Sequence, residues 1–168
     1  MGDTQHLANE DAIKKMKELA EEIKICMFCT YDDQHTMQTA PMGAQEIDED
    51  GTFWFLSTKE SKRNTDLETN PATDLIFAQP SASSYLSVRG KSEVFYDREK
   101  INDLWNGIAK NWFTEGKDDP NISVIRFTPE EAYYWDTKNG KMISFLKIAI
   151  GAVIGKTMDD GIQGKLKV

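Results

Sequence analysis

From residue 9 the apolar positions recur at three- and four-residue spacing. Ile13, Met16, Leu19, Ala20 and Ile23 form one stripe, which predicts an amphipathic helix over 9–22. Asn9 is placed to cap it, and Glu10 and Asp11 complement the positive end of the helix dipole. The pattern then becomes extended. Residues 25–31 and 36–47 read as the strands of a long hairpin around Asp32-Asp33-Gln34-His35, and Asp48-Glu49-Asp50-Gly51 turns the chain into a third strand, 53–57. A short helix over 61–69 ends at Asn70-Pro71, since proline disfavours helical geometry in the residue before it. Residues 74–79 and 84–96 predict two more strands, and Gly90 inside the second calls for a bulge, a barrel corner or a close ligand approach. Asp97 is expected to cap a helix reaching about Lys110, with Ile101, Leu104, Trp105 and Ile108 on one face. Residues 122–127 and 132–135 predict two strands separated by Thr128-Pro129. Residues 142–154 are ambiguous, helical by length and extended by their isoleucines and valine. Six or seven strands with three or four helices predict an α+β domain, mainly antiparallel β, built on a small barrel.

Length fits a single domain spanning all 168 residues, with 1–8 polar and expected to be disordered, and 138–168 a C-terminal extension without recognisable chemistry. The 28 acidic residues outnumber the 20 basic ones, giving a formal charge of -8. Such a surface repels nucleic acid and anionic lipid, so neither is an expected partner, and a phosphate-bearing ligand needs a local cluster of cations or amides. The longest apolar run, 142–154, contains Lys147 and falls short of the ~20 residues of a membrane span. No apolar segment follows a basic one at the start, so a cytoplasmic protein is expected.

Cys26 and Cys29 form a C-x-x-C, but within a strand, where side chains three apart take opposite faces. They read as two small buried residues rather than a redox pair or metal site. His6 and His35 are isolated from them, so no zinc cluster is expected, and no Ser-His-Asp or Cys-His set is available.

The stretch from Trp54 to Asn64 carries the candidate chemistry. Ser57 and Thr58 end a strand, Ser61 opens a helix, and Lys62 and Arg63 lie in its first turn. Helix N-terminal amides, hydroxyls and two cations make an anion site. Cations in a first turn oppose the helix dipole unless an anion sits there. By chemistry alone the triplet also reads as an ordinary solvated helix start.

Order along the chain narrows this. Thr39-Ala40-Pro41-Met42 precedes the aromatic strand ending in Ser57-Thr58; Ser61-Lys62-Arg63, Asn70-Pro71, Ser87-Val88-Arg89-Gly90, Asp118-Asp119-Pro120 and Tyr133-Tyr134-Trp135 follow. Over about 9–136 this succession resembles the flavin-binding split-barrel proteins related to pyridoxamine 5'-phosphate oxidase, in particular their general-stress-protein branch. The resemblance implies a six-stranded split barrel with flanking helices, and a homodimer with flavin nucleotides at the subunit interface. Carried onto this chain, Ser57, Thr58, Ser61, Lys62 and Arg63 would hold the flavin phosphate and ribityl chain. Thr39, Pro41 and Met42 would line the cofactor, and Trp135 would approach it from the second subunit. Trp112 would contact the ring, the core or the dimer, and Arg89 is a cross-subunit contact or an ordinary strand-face cation.

Two departures shape the expected function. Many relatives place an arginine before the Pro-Met pair, where this chain has Ala40. The true oxidases carry an Arg-x-His element after the strand ending in tryptophan; here Asp136-Thr137-Lys138-Asn139-Gly140-Lys141-Met142 has neither arginine nor histidine, so vitamin B6 oxidation is not expected. The resemblance therefore implies an FMN-dependent oxidoreductase or flavin reductase of stress-protein type, with FAD or a deazaflavin as alternative cofactor. It would use a small-molecule electron donor or acceptor, without a catalytic residue of its own and without a metal. The competing class is a non-catalytic flavin-binding or sensor protein, or a degenerate barrel without cofactor.

Overall fold

A computed structural model describes residues 9–138 and 141–149, with side chains for 10–135. The amphipathic stripe forms α1 (Asn9–Ile23), which lays Ala12, Met16, Leu19 and Ala20 into the core. Strands β1 (Ile25–Tyr31) and β2 (Met37–Gly43) make the expected hairpin, and β4 (Phe53–Thr58) follows the two-residue β3 (Glu46–Ile47). Then come α2 (Lys62–Thr69), β5 (Ala72–Gln79), β6 (Ser84–Phe95), α3 (Arg98–Leu104), β7 (Ile122–Lys138) and β8 (Lys141–Ala149). All strand pairs are antiparallel, in the order β2-β1-β5-β6-β7-β4-β3, with β8 beside β7. Without the short β3 and the appended β8, the six strands of the expected split barrel remain. Among the described residues no helix is long and apolar enough to cross a membrane.

The barrel interior is aromatic. Phe28 meets Phe55 edge-on at 5.2 Å between ring centroids, and Phe53 meets Phe127 edge-on at 5.7 Å. A second cluster, Leu56, Ile101, Leu104, Ala109, Phe113, Ile122 and Val124, lies under α3. Strand β4 separates the two: Phe53, Phe55 and Ser57 face the interior, Trp54, Leu56 and Thr58 the α3 side. Coverage of both faces explains its unbroken apolar run.

Three expectations on local structure are corrected. Residues 36–47 are not one strand: β2 pairs with β1, whereas β3 pairs with β4, and the strand is interrupted at Ala44-Gln45. Thr128-Pro129 does not separate two strands, because Pro129 sits within β7 opposite Gly90, where the register shifts and a bulge needs no ladder hydrogen bond from proline. The α3 helix ends at Leu104 rather than near Lys110. Trp105 turns extended, and Asn106 Oδ1 accepts from the amides of Ile108 and Ala109 at 2.9 and 3.1 Å, opening a separate turn. The ambiguous run is extended over 141–149, pairing with the edge of β7 beyond the stretch used by β4; its end, like residues 1–8 and most of the C-terminal extension, lies outside the described residues. At Gly90 the close approach is protein, not ligand: a Cβ there would lie 2.1 Å from the Thr128 carbonyl oxygen.

Cys26 and Cys29 take opposite faces of β1, both buried and unbridged. Cys26 donates its thiol to the Met42 carbonyl at 3.4 Å, and burial pushes its pKa up to about 12.

Candidate functional site

The site is built where β4 hands over to α2. Ser61 caps the helix with extended backbone, its hydroxyl accepting from the Asn64 amide at 3.2 Å. That fixes the first turn and points Arg63 back across the end of the barrel. Arg63 Nη2 donates to Ser57 Oγ at 2.9 Å, and its guanidinium carbon lies 5.9 Å from the centre of the Phe28 ring. Asn64 stands behind, 1% exposed: its Oδ1 accepts from Ser57 and Ser61 at 3.0 Å each, and its Nδ2 donates to Ser123 Oγ at 2.8 Å. Ser57 is therefore a buried prop for Arg63 rather than an open ligand.

In front of this network is an open cavity of about 150 Å³ lined by Phe28, Thr30, Gln38, Thr39, Ala40, Ser61, Lys62 and Arg63. Its two cations differ. Lys62 is ion-paired with Asp66, a carboxylate only 2% exposed that also accepts from Thr30 Oγ1 at 3.0 Å, and this pairing raises the lysine pKa. Arg63 has no carboxylate in ion-pair range among the described residues, and its Nε, shielded from solvent, has no hydrogen-bond partner. Burial lowers its pKa, although a guanidinium stays protonated in any case. A half-buried cation without a counter-charge is costly unless an anion completes it.

Of the residues singled out in the sequence, Thr39, Ser61, Lys62 and Arg63 meet around this cavity, with Ser57 one layer behind. Thr58 lies on the opposite face of β4 and does not line it. Met42 is buried in the barrel, and Pro41 is exposed on the outer face of the sheet, across from Met27. Trp135 pairs with Tyr85 on that outer face and does not line the cavity. Arg89 is also outside, its Nε 3.2 Å from Asp74 Oδ1, while Tyr31 donates to Asp74 Oδ2 at 2.6 Å. Trp112 is 59% exposed and belongs to neither core cluster. Sequence reasoning passed over Asn64, Asp66, Thr30, Gln38 and Phe28. The spacing Ser61-x-x-Asn64 and the four-residue step from Lys62 to Asp66 were the available signals.

The pocket thus sets a helix start and two cations into the end of a split antiparallel barrel. Residues 11–159 match the family described as pyridoxamine 5'-phosphate oxidase like, and the chain belongs to that family. General stress protein 26 of Bacillus subtilis (strain 168) is 26% identical over 83 residues, 48% of this chain and 59% of that protein, so the match spans little more than half the length of this curated relative. A Clostridium acetobutylicum protein related to general stress protein 26 has a solved structure that superposes with a TM-score of 0.68 at 26% identity, over 85% of this chain and 97% of that one. The structure of the general stress FMN/FAD binding protein from Xanthomonas citri superposes with a TM-score of 0.65 at 20% identity, over 93% of this chain and 98% of that one.

Proposed function

We propose that this protein binds a flavin nucleotide with its phosphate in the Ser61–Arg63 cradle, and that it serves as a stress-type oxidoreductase or flavin reductase acting on a small molecule in the cytoplasm. The observation that carries the reading is Arg63, a half-buried guanidinium aimed into the cavity by Ser57, with its Nε unpartnered. The part of the guanidinium that lines the cavity and the open Ser61 side fit a phosphate oxygen. The flavin supplies the redox chemistry when bound. The chain contributes the cation, the hydroxyls and, from Phe28 and Ala40, an apolar wall.

The outer face of the sheet supports a homodimer. Register puts Pro41, Met27, Ile76, Ser87 and Tyr133 in one row, flanked by Ile25 and Met37. Met27 is 40% exposed, Ile25 and Ile76 each 45%, an apolar patch suited to a second copy of itself. Trp135, on the same face, would then be carried toward the partner's cofactor.

A non-catalytic flavin carrier or sensor is the second reading. It is favoured by the cavity lining, which holds no histidine, cysteine or carboxylate able to exchange a proton with a substrate. Titration with riboflavin and flavin nucleotides, followed by Trp fluorescence, tests the main reading. Arg63→Ala should weaken nucleotide binding about tenfold or more and riboflavin binding little; equal weakening of both would sink the phosphate assignment. Steady oxidation of NADH or NADPH by the loaded protein separates a turnover enzyme from a carrier.

A further inference from the structure

We infer that the cradle takes phosphate as a singly charged group, so that it favours a flavin whose phosphate is a diester, as in FAD, over the dianionic monoester of FMN at neutral pH. This rests on the flavin reading above and concerns only which phosphate the site accepts.

The charges around the cavity decide it. Its lining contains two cations, Lys62 and Arg63, and Lys62 is held by Asp66. Asp66 is buried, fixed from its other oxygen by Thr30, and cannot swing away into solvent. The turn between β1 and β2 adds Asp32 and Asp33, whose negative charges also reach Lys62. Asp32 is kept ionised by the amides of Thr36 and Gln34, which donate to its Oδ1 at 2.8 and 2.9 Å. From β2 come only Gln38, Thr39 and Ala40, and from β1 only Phe28 and Thr30, none of them charged. Behind Arg63, Cys26 stays a neutral thiol. One positive charge is therefore left uncompensated.

A phosphomonoester loses its second proton with a pKa near about 6, so at neutral pH FMN brings two charges on one phosphorus. FAD spreads its two charges over two phosphorus atoms, one on each. The second charge of a monoester would find no free cation, because Lys62 already answers to Asp66, Asp32 and Asp33, and repulsion from these nearby carboxylates favours its protonated form.

The test is titration of the full chain with riboflavin, FMN and FAD, read by Trp fluorescence at about pH 7.5 and about pH 5.5, on either side of the monoester pKa. FAD is expected to bind about tenfold or more tightly than FMN at the higher pH. FMN should tighten as pH falls through about 6, while FAD and riboflavin hold steady. Asp66→Asn frees Lys62 and should raise FMN affinity about tenfold with FAD nearly unchanged. Ala40→Arg, which leaves buried Asp66 untouched, should shift FMN in the same direction. FMN binding more tightly than FAD at the higher pH overturns the inference. So does a flat FMN profile with pH, which would assign any FAD preference to its adenine half. Failure of all three flavins, riboflavin included, overturns the flavin reading and this inference with it.

Discussion

Asn64 Nδ2 donates to Ser123 Oγ at 2.8 Å, and this bond ties the first turn of α2 to β7, the strand lying on the other side of β4. Both groups are buried, and the same side chain fills the hydroxyl donors of Ser57 and Ser61. Removing the amide takes that partner from the two buried hydroxyls of Ser57 and Ser123. Asn64→Leu is expected to cost about 2–4 kcal/mol, since each unsatisfied buried polar group costs about 1–3 kcal/mol. Chemical denaturation checks the stability. A variant as stable as the parent would show that the network is not structural.

Ser57 and Thr58 are neighbours with different duties, because alternate strand residues face opposite sides. Ser57 holds Arg63 at 2.9 Å, whereas Thr58 is exposed on the α3 side. Ser57→Ala is expected to lower flavin-nucleotide affinity by about tenfold, roughly the worth of one hydrogen bond to a charged group. Thr58→Ala should leave it within about twofold. Calorimetric titration of both variants separates them, and equal losses would mean that β4 reaches the ligand from both faces.

How far the site was legible follows from these residues. The alternation of β1, the stripe of α1 and the cap at Ser61 were readable because each is a local pattern of period or position. The Ser-Lys-Arg triplet located the cavity, but not the division of labour around it. Lys62 and Arg63 look equivalent in sequence; only the fold shows that Lys62 spends its charge on Asp66 while Arg63 keeps its own. Helix α3 was overextended because Trp105 and Ile108 continue its apolar spacing, and the competing turn at Asn106 is set by a side chain bonding to backbone. Pro129 misled for the opposite reason. Its tolerance within a strand depends on Gly90, 39 positions away in the numbering and directly opposite it in the sheet.

Gly90 is the position where the barrel tolerates no side chain. A Cβ would lie 2.1 Å from the Thr128 carbonyl oxygen, 2.8 Å from the Phe127 ring and 2.9 Å from Pro129 Cα, and two of these three are backbone. The strands must separate or the bulge must be lost. Gly90→Ala is expected to destabilise by about 3 kcal/mol or more, at the upper end of overpacking effects. Thermal melting is the check. Gly107→Ala, with nothing within 4 Å of its Cβ, is the control and should melt like the parent.

The fold should weaken in alkali from two groups at once. Burial raises Cys26 from 9.0 to about 12, and burial together with the hydrogen bond to Asp74 raises Tyr31 from 10.0 to about 12. A group that holds its proton more tightly when folded contributes stability that is whole below its unfolded pKa and lost as pH climbs toward the folded one. Urea midpoints should therefore stay flat to about pH 9 and fall between 9 and 12, with Cys26 contributing up to ~1.4 kcal/mol per pH unit to the unfolding free energy and the more exposed Tyr31 less. Cys26→Ala should flatten the first part of the fall. A midpoint independent of pH across that window would contradict the burial of both groups.

Ile76 lies at the middle of the outer face, between Met27 of β1 and Ser87 of β6, and is 45% exposed in the single chain. Its neighbours Met27, Ile25 and Pro41 leave an apolar surface that the proposed second copy can cover about a twofold axis, and a residue close to that axis meets its own symmetry mate. A lysine in that position meets desolvation and the like charge of its counterpart together. Ile76→Lys is thus expected to halve the mass seen by light scattering while leaving the monomer's circular dichroism unchanged, since the side chain touches solvent rather than the barrel core. It should also weaken flavin binding, because Trp135 on the same face would no longer reach a partner's cradle. An unchanged dimer would move the interface to another surface. A monomer that still binds flavin at full affinity would confine the cofactor site to one chain.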